Sequence, residues 1–134
     1  MNDLDRLITL AAECHRARTR MLDATAARES LIVGARAADT SVSEIAKAAE
    51  LTTGRVYNLL RQSTADAADE PDRGYLDVIH SMTRYMHEEQ AAANALARER
   101  NEVARRLVDA GATARFLAGV LGENVDTLRN WLYP

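Results

Sequence analysis

The chain has 134 residues, of which 47% are apolar and 4% aromatic, with a net charge of −3; that is enough apolar material for one ordinary domain or two very small ones and excludes disorder throughout. The apolar residues are mostly Ala and Leu, and Pro71 and Pro134 are the only prolines, so an all-α fold is expected rather than sheet. With Cys14 alone, no membrane-length apolar run and no basic-then-apolar leader, the expectation is a soluble cytoplasmic protein without internal disulfides and with no membrane partner.

In chain order, Leu4 to Ala38 holds no proline, and Leu7, Leu10, Cys14, Ala17, Met21, Ala24, Leu31 and Ala35 recur at spacings of three and four, which predicts one long helix with a single apolar stripe. The next stretch, SVSEIAKAAELTTGRVYNLLR from Ser41 to Arg61, opens on a capping box. The Ser41 hydroxyl can satisfy an orphan amide while the Glu44 carboxylate reaches back to Ser41. A helix from about Val42 turns Ile45 and Ala49 inward, with Ala46 small enough for a second helix to cross closely. The corner falls at Glu50 and Leu51, and Thr52 or Thr53 caps a second helix whose Val56, Leu59 and Leu60 face in.

This pattern of about twenty residues resembles the helix-turn-helix of bacterial and phage repressors, including small actinobacterial ones. The resemblance implies that the second helix enters the DNA major groove by its N-terminal part, which assigns the reading role to Thr52, Thr53, Gly54, Tyr57, Asn58 and Arg61. Asn can contact adenine through two hydrogen bonds, Thr suits a thymine methyl or a phosphate, Gly54 lets the backbone approach, and Arg55 and Arg61 suit phosphates. One departure stands out. The turn position that the family usually fills with Gly is Glu50, where a left-handed backbone costs about 1 kcal/mol.

Ser63 to Gly74 then forms an acidic linker, with Asp66, Asp69, Glu70 and Asp72 against Arg73. Its local charge equals that of the entire chain, so the remainder is neutral and charge neither supports nor excludes DNA. From Tyr75 to Ala110 a second long helix is expected on Ile79, Met82, Met86, Ala93, Leu96, Val103 and Leu107. The linker from Gln62 to Gly74 reaches about 43 Å at full stretch, whereas each long helix spans about 50 Å. An antiparallel pairing of the two follows.

The closing segment, TARFLAGVLGENVDTLRNWL, is a blurred second copy of the first, matching it through Leu117, Ala118, Leu121, Gly122, Leu128, Trp131 and Leu132. Sliding the chain by 72 residues, Leu4 onto Leu76, also sets Asp5, His15, Arg28, Ala38, Ala46, Asn58 and Leu60 on identical residues, and Leu7, Ile45 and Val56 on Ile79, Leu117 and Leu128. The reading is therefore two tandem units, each a long helix followed by a helix-turn-helix: residues 1–62, the linker 63–74, and residues 75–134. In the second copy the outward positions are Asn124, Val125, Asp126, Thr127, Arg129 and Asn130. Asp126 repels phosphate, so this copy is expected to be the poorer reader.

No glycine-rich phosphate loop occurs, and no nucleophile has an evident base. His80 and His87 lack the compact spacing of a ligand set. No enzyme, no metal and no cofactor is expected. The arginine clusters Arg16, Arg18, Arg20 and Arg98, Arg100, Arg105, Arg106 read as solvated, salt-bridged faces. The expected function is sequence-specific binding of double-stranded DNA as a small repressor-like transcriptional regulator, with homodimer formation left open. The alternative is a non-enzymatic interaction adaptor or antirepressor that keeps the helix-turn-helix architecture without reading DNA.

Overall fold

The computed structural model describes residues 2–134. They form six helices and no strand: α1 (Asp3–Ala37), α2 (Val42–Ala49), α3 (Thr53–Gln62), α4 (Tyr75–Asp109), α5 (Ala114–Leu121) and α6 (Val125–Leu132). The all-α reading holds, and no helix among the described residues is long and apolar enough to cross a membrane.

The helix ends follow from local chemistry. Asp39 (φ 65°) and Gly111 (φ 111°), both left-handed, follow α1 and α4. Just beyond them Thr40 donates its N–H to the Ala35 carbonyl and Ala112 to the Leu107 carbonyl, each at 3.0 Å. Thr52, Thr113 and Asn124 cap α3, α5 and α6 by accepting from backbone amides of the first turn. At α2, the Ser41 hydroxyl accepts from the Glu44 amide at 3.2 Å as expected. The reciprocal contact differs: the Glu44 carboxylate takes the Ser41 hydroxyl at 3.3 Å.

Two compact units result, Thr19–Gln90 and Met1–Arg18 with Ala91–Pro134. They do not coincide with the tandem segments 1–62 and 75–134. Each unit takes one helical pair, the half of the long helix that leads into that pair, and a half of the other long helix. The reason is length: α1 and α4 have 35 residues each, whereas α2 and α3 have 8 and 10 and cannot cover such a stripe.

In the unit Thr19–Gln90, Leu31, Ile32 and Ala35 of α1 and Tyr75 and Ile79 of α4 enclose Val42, Ile45, Ala46, Ala49 and Val56. In the other unit, Leu7 and Leu10 of α1 and Val103 and Ala104 of α4 enclose Leu117, Ala118, Leu128, Trp131 and Leu132. Within each unit the long-helix segments run antiparallel. Asp3 pairs with Arg106 and Arg6 with Glu99 in one; Arg20 pairs with Glu89, and Arg28 reaches Thr83, in the other.

Gly34 sets how closely the acidic linker crosses α1. Ala68 donates its N–H to the Ser30 carbonyl at 3.0 Å and accepts the Tyr75 hydroxyl at 2.7 Å. A Cβ on Gly34 would stand 2.8 Å from Tyr75 Cε1 and collide with the Ala68 carbonyl. Gly34→Ala should therefore lower stability by about 1 to 3 kcal/mol, the usual cost of overpacking. Urea denaturation followed by circular dichroism checks this, and an unchanged midpoint would contradict the contact.

Candidate nucleic-acid interface

The exposed side of α3 is built by its cap and its inner face. Thr52 stands at the N-cap and accepts from the Arg55 amide at 3.2 Å. Val56 is fully buried, and Leu59 and Leu60 pack against the same core. The helix phase then turns Thr53, Gly54, Arg55, Tyr57, Asn58 and Arg61 outward, all exposed, with Tyr57 at 57%. Arg61 donates through Nη2 to the Asn58 side-chain oxygen. Of the residues assigned from sequence to the first copy, Thr52 has its hydroxyl oxygen engaged in capping; the others line one accessible helix surface.

The turn before α3 takes the strained form expected. Glu50 has φ 54° and ψ 42°, left-handed, and the Leu51 N–H reaches the Ala46 carbonyl at 2.9 Å. In the closing pair Gly122 holds the same conformation, and the Glu123 N–H reaches the Ala118 carbonyl at 2.9 Å. Glu50 also lies 3.7 Å from His87 Nε2, an exposed pair. Since exposed pairs contribute little, Glu50→Gly should raise stability by up to about 1 kcal/mol through relief of the left-handed cost. Thermal melts of the two chains test this, and a marked loss would mean that the His87 contact dominates.

Arg28 belongs to this site although it lies on α1. Its Nη1 donates to the Ala49 carbonyl at 3.3 Å, at the C-terminal end of α2, and approaches the buried Thr83 hydroxyl at 3.4 Å. Half-burial first, and the Arg55 charge second, pull its pKa below the ordinary guanidinium value. The Arg28 and Arg55 guanidinium groups are thus two like charges close enough to act on each other beside the α2–α3 pair. Arg28→Met should cost about 1 kcal/mol through the lost hydrogen bond and speed amide exchange in α2, which hydrogen exchange can read.

The second copy presents a different surface. Asn124, Arg129 and Asn130 are exposed and Thr127 is half-buried. Asn124 spends its side-chain oxygen on the Asp126 and Thr127 amides at 2.8 and 3.1 Å. Arg129 is paired with Asp126 at 3.3 Å. Arg100, read from sequence as part of a solvated cluster, is half-buried instead. Its guanidinium lies 3.9 Å from the Trp131 ring centroid and donates to Asn101. Burial lowers its pKa and raises that of the neighbouring Cys14 thiol.

Sequence reading gave Arg28 no role and placed Arg100 on a solvated face; the structure half-buries both. The two fall on each other under the 72-residue shift, but His15 and His87 do so as well and are exposed, so the shift by itself did not mark the arginines as interior. Among the described residues, no group of three or more His, Cys, Asp or Glu side chains is placed to hold a metal ion. Comparison with protein-family models, with curated proteins and with solved structures finds no match.

Proposed function

We propose that the chain is a non-enzymatic, sequence-specific DNA-binding regulator that reads the major groove with α3, built from two diverged copies of a long helix and a helix-turn-helix. The observation that carries the reading is the outward surface of α3. It offers a short-chain amide, two hydroxyl-bearing side chains and an arginine at helical spacing, Thr53, Tyr57, Asn58 and Arg61, beside the two cations Arg28 and Arg55. Such a surface supplies both base-edge partners and phosphate partners. The glycine at position 54 adds to this, because a Cβ there would meet nothing within 4 Å and the backbone is open to a ligand.

Charge ranks α6 below α3. Both helices spend a capping side chain, but the arginine of α6 is neutralised by Asp126, which itself opposes phosphate, whereas Arg61 of α3 meets the neutral Asn58 amide. We assign it a structural role with at most an auxiliary contact to DNA.

Asn58→Ala should remove a base contact, costing about 1 to 3 kcal/mol in binding and relaxing preference at one base position. Asn130→Ala should cost less. Both residues are exposed, so their melts should stay close to the parent's. The measurement is selection of bound sites from random duplexes, followed by titration of the chosen site over a salt series. Saturable complexes that weaken steeply with salt are expected. No complex at low salt would favour an interaction adaptor, and a loss confined to Asn130→Ala would reverse the ranking.

A further inference from the structure

The surface beside α5 differs in kind from its counterpart beside α2. In the unit Thr19–Gln90, the outward side of α2 and the nearby start of α4 carry Glu44, Lys47, His80 and Arg84, all exposed. The residues 72 positions away in the sequence, all in the other unit, are Phe116, Gly119, Ile8 and Ala12. Phe116 is 53% exposed, Ile8 43% and Val120 41%. A charged face in one unit is thus an apolar face in the other, and exposed apolar side chains gathered in one place gain free energy only when something covers them.

Gly119 gives a second, separate observation. It lies inside α5, where nearly every other residue favours the helix more. A Cβ on it would meet nothing within 4 Å, so no contact inside the chain requires a glycine there. A missing side chain in mid-helix lets another backbone come close. Next to it opens a groove of about 370 Å³ lined by Ile8, Ala11, Ala12, Val120 and Leu121, with His15 and Glu123.

We infer that a second copy of this chain covers the face, with α5 packed antiparallel on the partner's α5 about a two-fold axis at Gly119. The charges on α5 and its turn favour that occupant. An antiparallel two-fold crossing sets each residue opposite the one equally far on the other side of the axis. Arg115 then comes to the end of the partner's α5, where Glu123 lines the groove just past the left-handed Gly122, and the reverse holds by symmetry, so both ends of the contact close on opposite charges. Phe116 falls opposite the partner's Gly122, at the groove beside the partner's Val120 and Leu121, which has room for a phenyl ring. An unrelated partner would place no demand for this symmetry about one glycine. The inference goes beyond the reading of DNA by α3 and does not rest on it.

Sedimentation equilibrium of the full chain, without DNA and over a wide concentration range, tests it. The weight-average mass should climb from the monomer's 14.8 kDa toward twice that value. Gly119→Leu should hold it at the monomer mass, with the dilute-solution circular dichroism of the parent, because the site is open in the single chain. Arg115→Glu and Glu123→Arg should each raise the dimer dissociation constant by about tenfold or more, and the double exchange should recover the parent's value. A parent chain that remains monomeric at every concentration overturns the inference, as does a dimer indifferent to Gly119→Leu. A dimer lost in Gly119→Leu but insensitive to the charge reversals overturns it too, since the antiparallel register is part of it.

Discussion

The α2–α3 pair brings Val42, Ile45, Ala46, Ala49 and Val56 together, and these few small and medium side chains cannot close a core by themselves. They become interior only because a segment of α1 and a segment of α4 lie antiparallel and present Leu31, Ile32, Ala35, Tyr75 and Ile79 to them. The same dependence holds for α5 and α6 on Leu7, Leu10, Val103 and Ala104. Everything exposed on α3 or α5 takes its direction from this packing, since the buried inner face of a short helix fixes which side faces out.

Two half-buried arginines show how the cradle and the helical pairs are locked. Arg28 ties α1 to the end of α2 through the Ala49 carbonyl, while Arg100 lies against Trp131 of α6. A guanidinium suits both tasks, because its stem packs with apolar neighbours and its planar head can donate hydrogen bonds or stack on a ring. Desolvation acts on both, lowering the pKa of each. The cost is offset locally, by hydrogen bonds in one unit and by the aromatic face in the other.

The two short helical pairs share their turn geometry yet expose different chemistry. Around α3 the outward residues are polar and cationic; around α5 the exposed Phe116, Gly119 and Val120 are flanked by Arg115 and Glu123. Surface positions can diverge in this way at little cost to folding, because substitutions away from the core shift stability only slightly. The corresponding inner positions are apolar in both pairs, Ile45 and Leu117, Val56 and Leu128, all fully buried. One architecture thus supports a face suited to nucleic acid and another suited to protein, which is the division of labour we propose.

Local signals were enough to read the helices and their ends from the sequence. Periodic apolar residues, the Ser41 and Thr52 caps, and the turn positions Glu50 and Gly122 act over a few residues and need no distant partner; the caps at Thr113 and Asn124 were not read, and Asn124 was assigned to DNA instead. The outward residues of α3 were legible for the same reason. Other features were settled only by tertiary packing. Linker length pointed to antiparallel long helices, but a stripe on a helix does not say which short pair covers which half, so the compact units that cut across the two tandem-looking segments were not read. Arg100 read as solvated because its charge is local and Trp131 is distant in sequence. Thr83 left no apolar signal at all, and it is buried because the phase of α4 brings its hydroxyl to the Ile79 carbonyl and to Arg28. Periodicity is a property of one helix, whereas partnership depends on where the other helices lie.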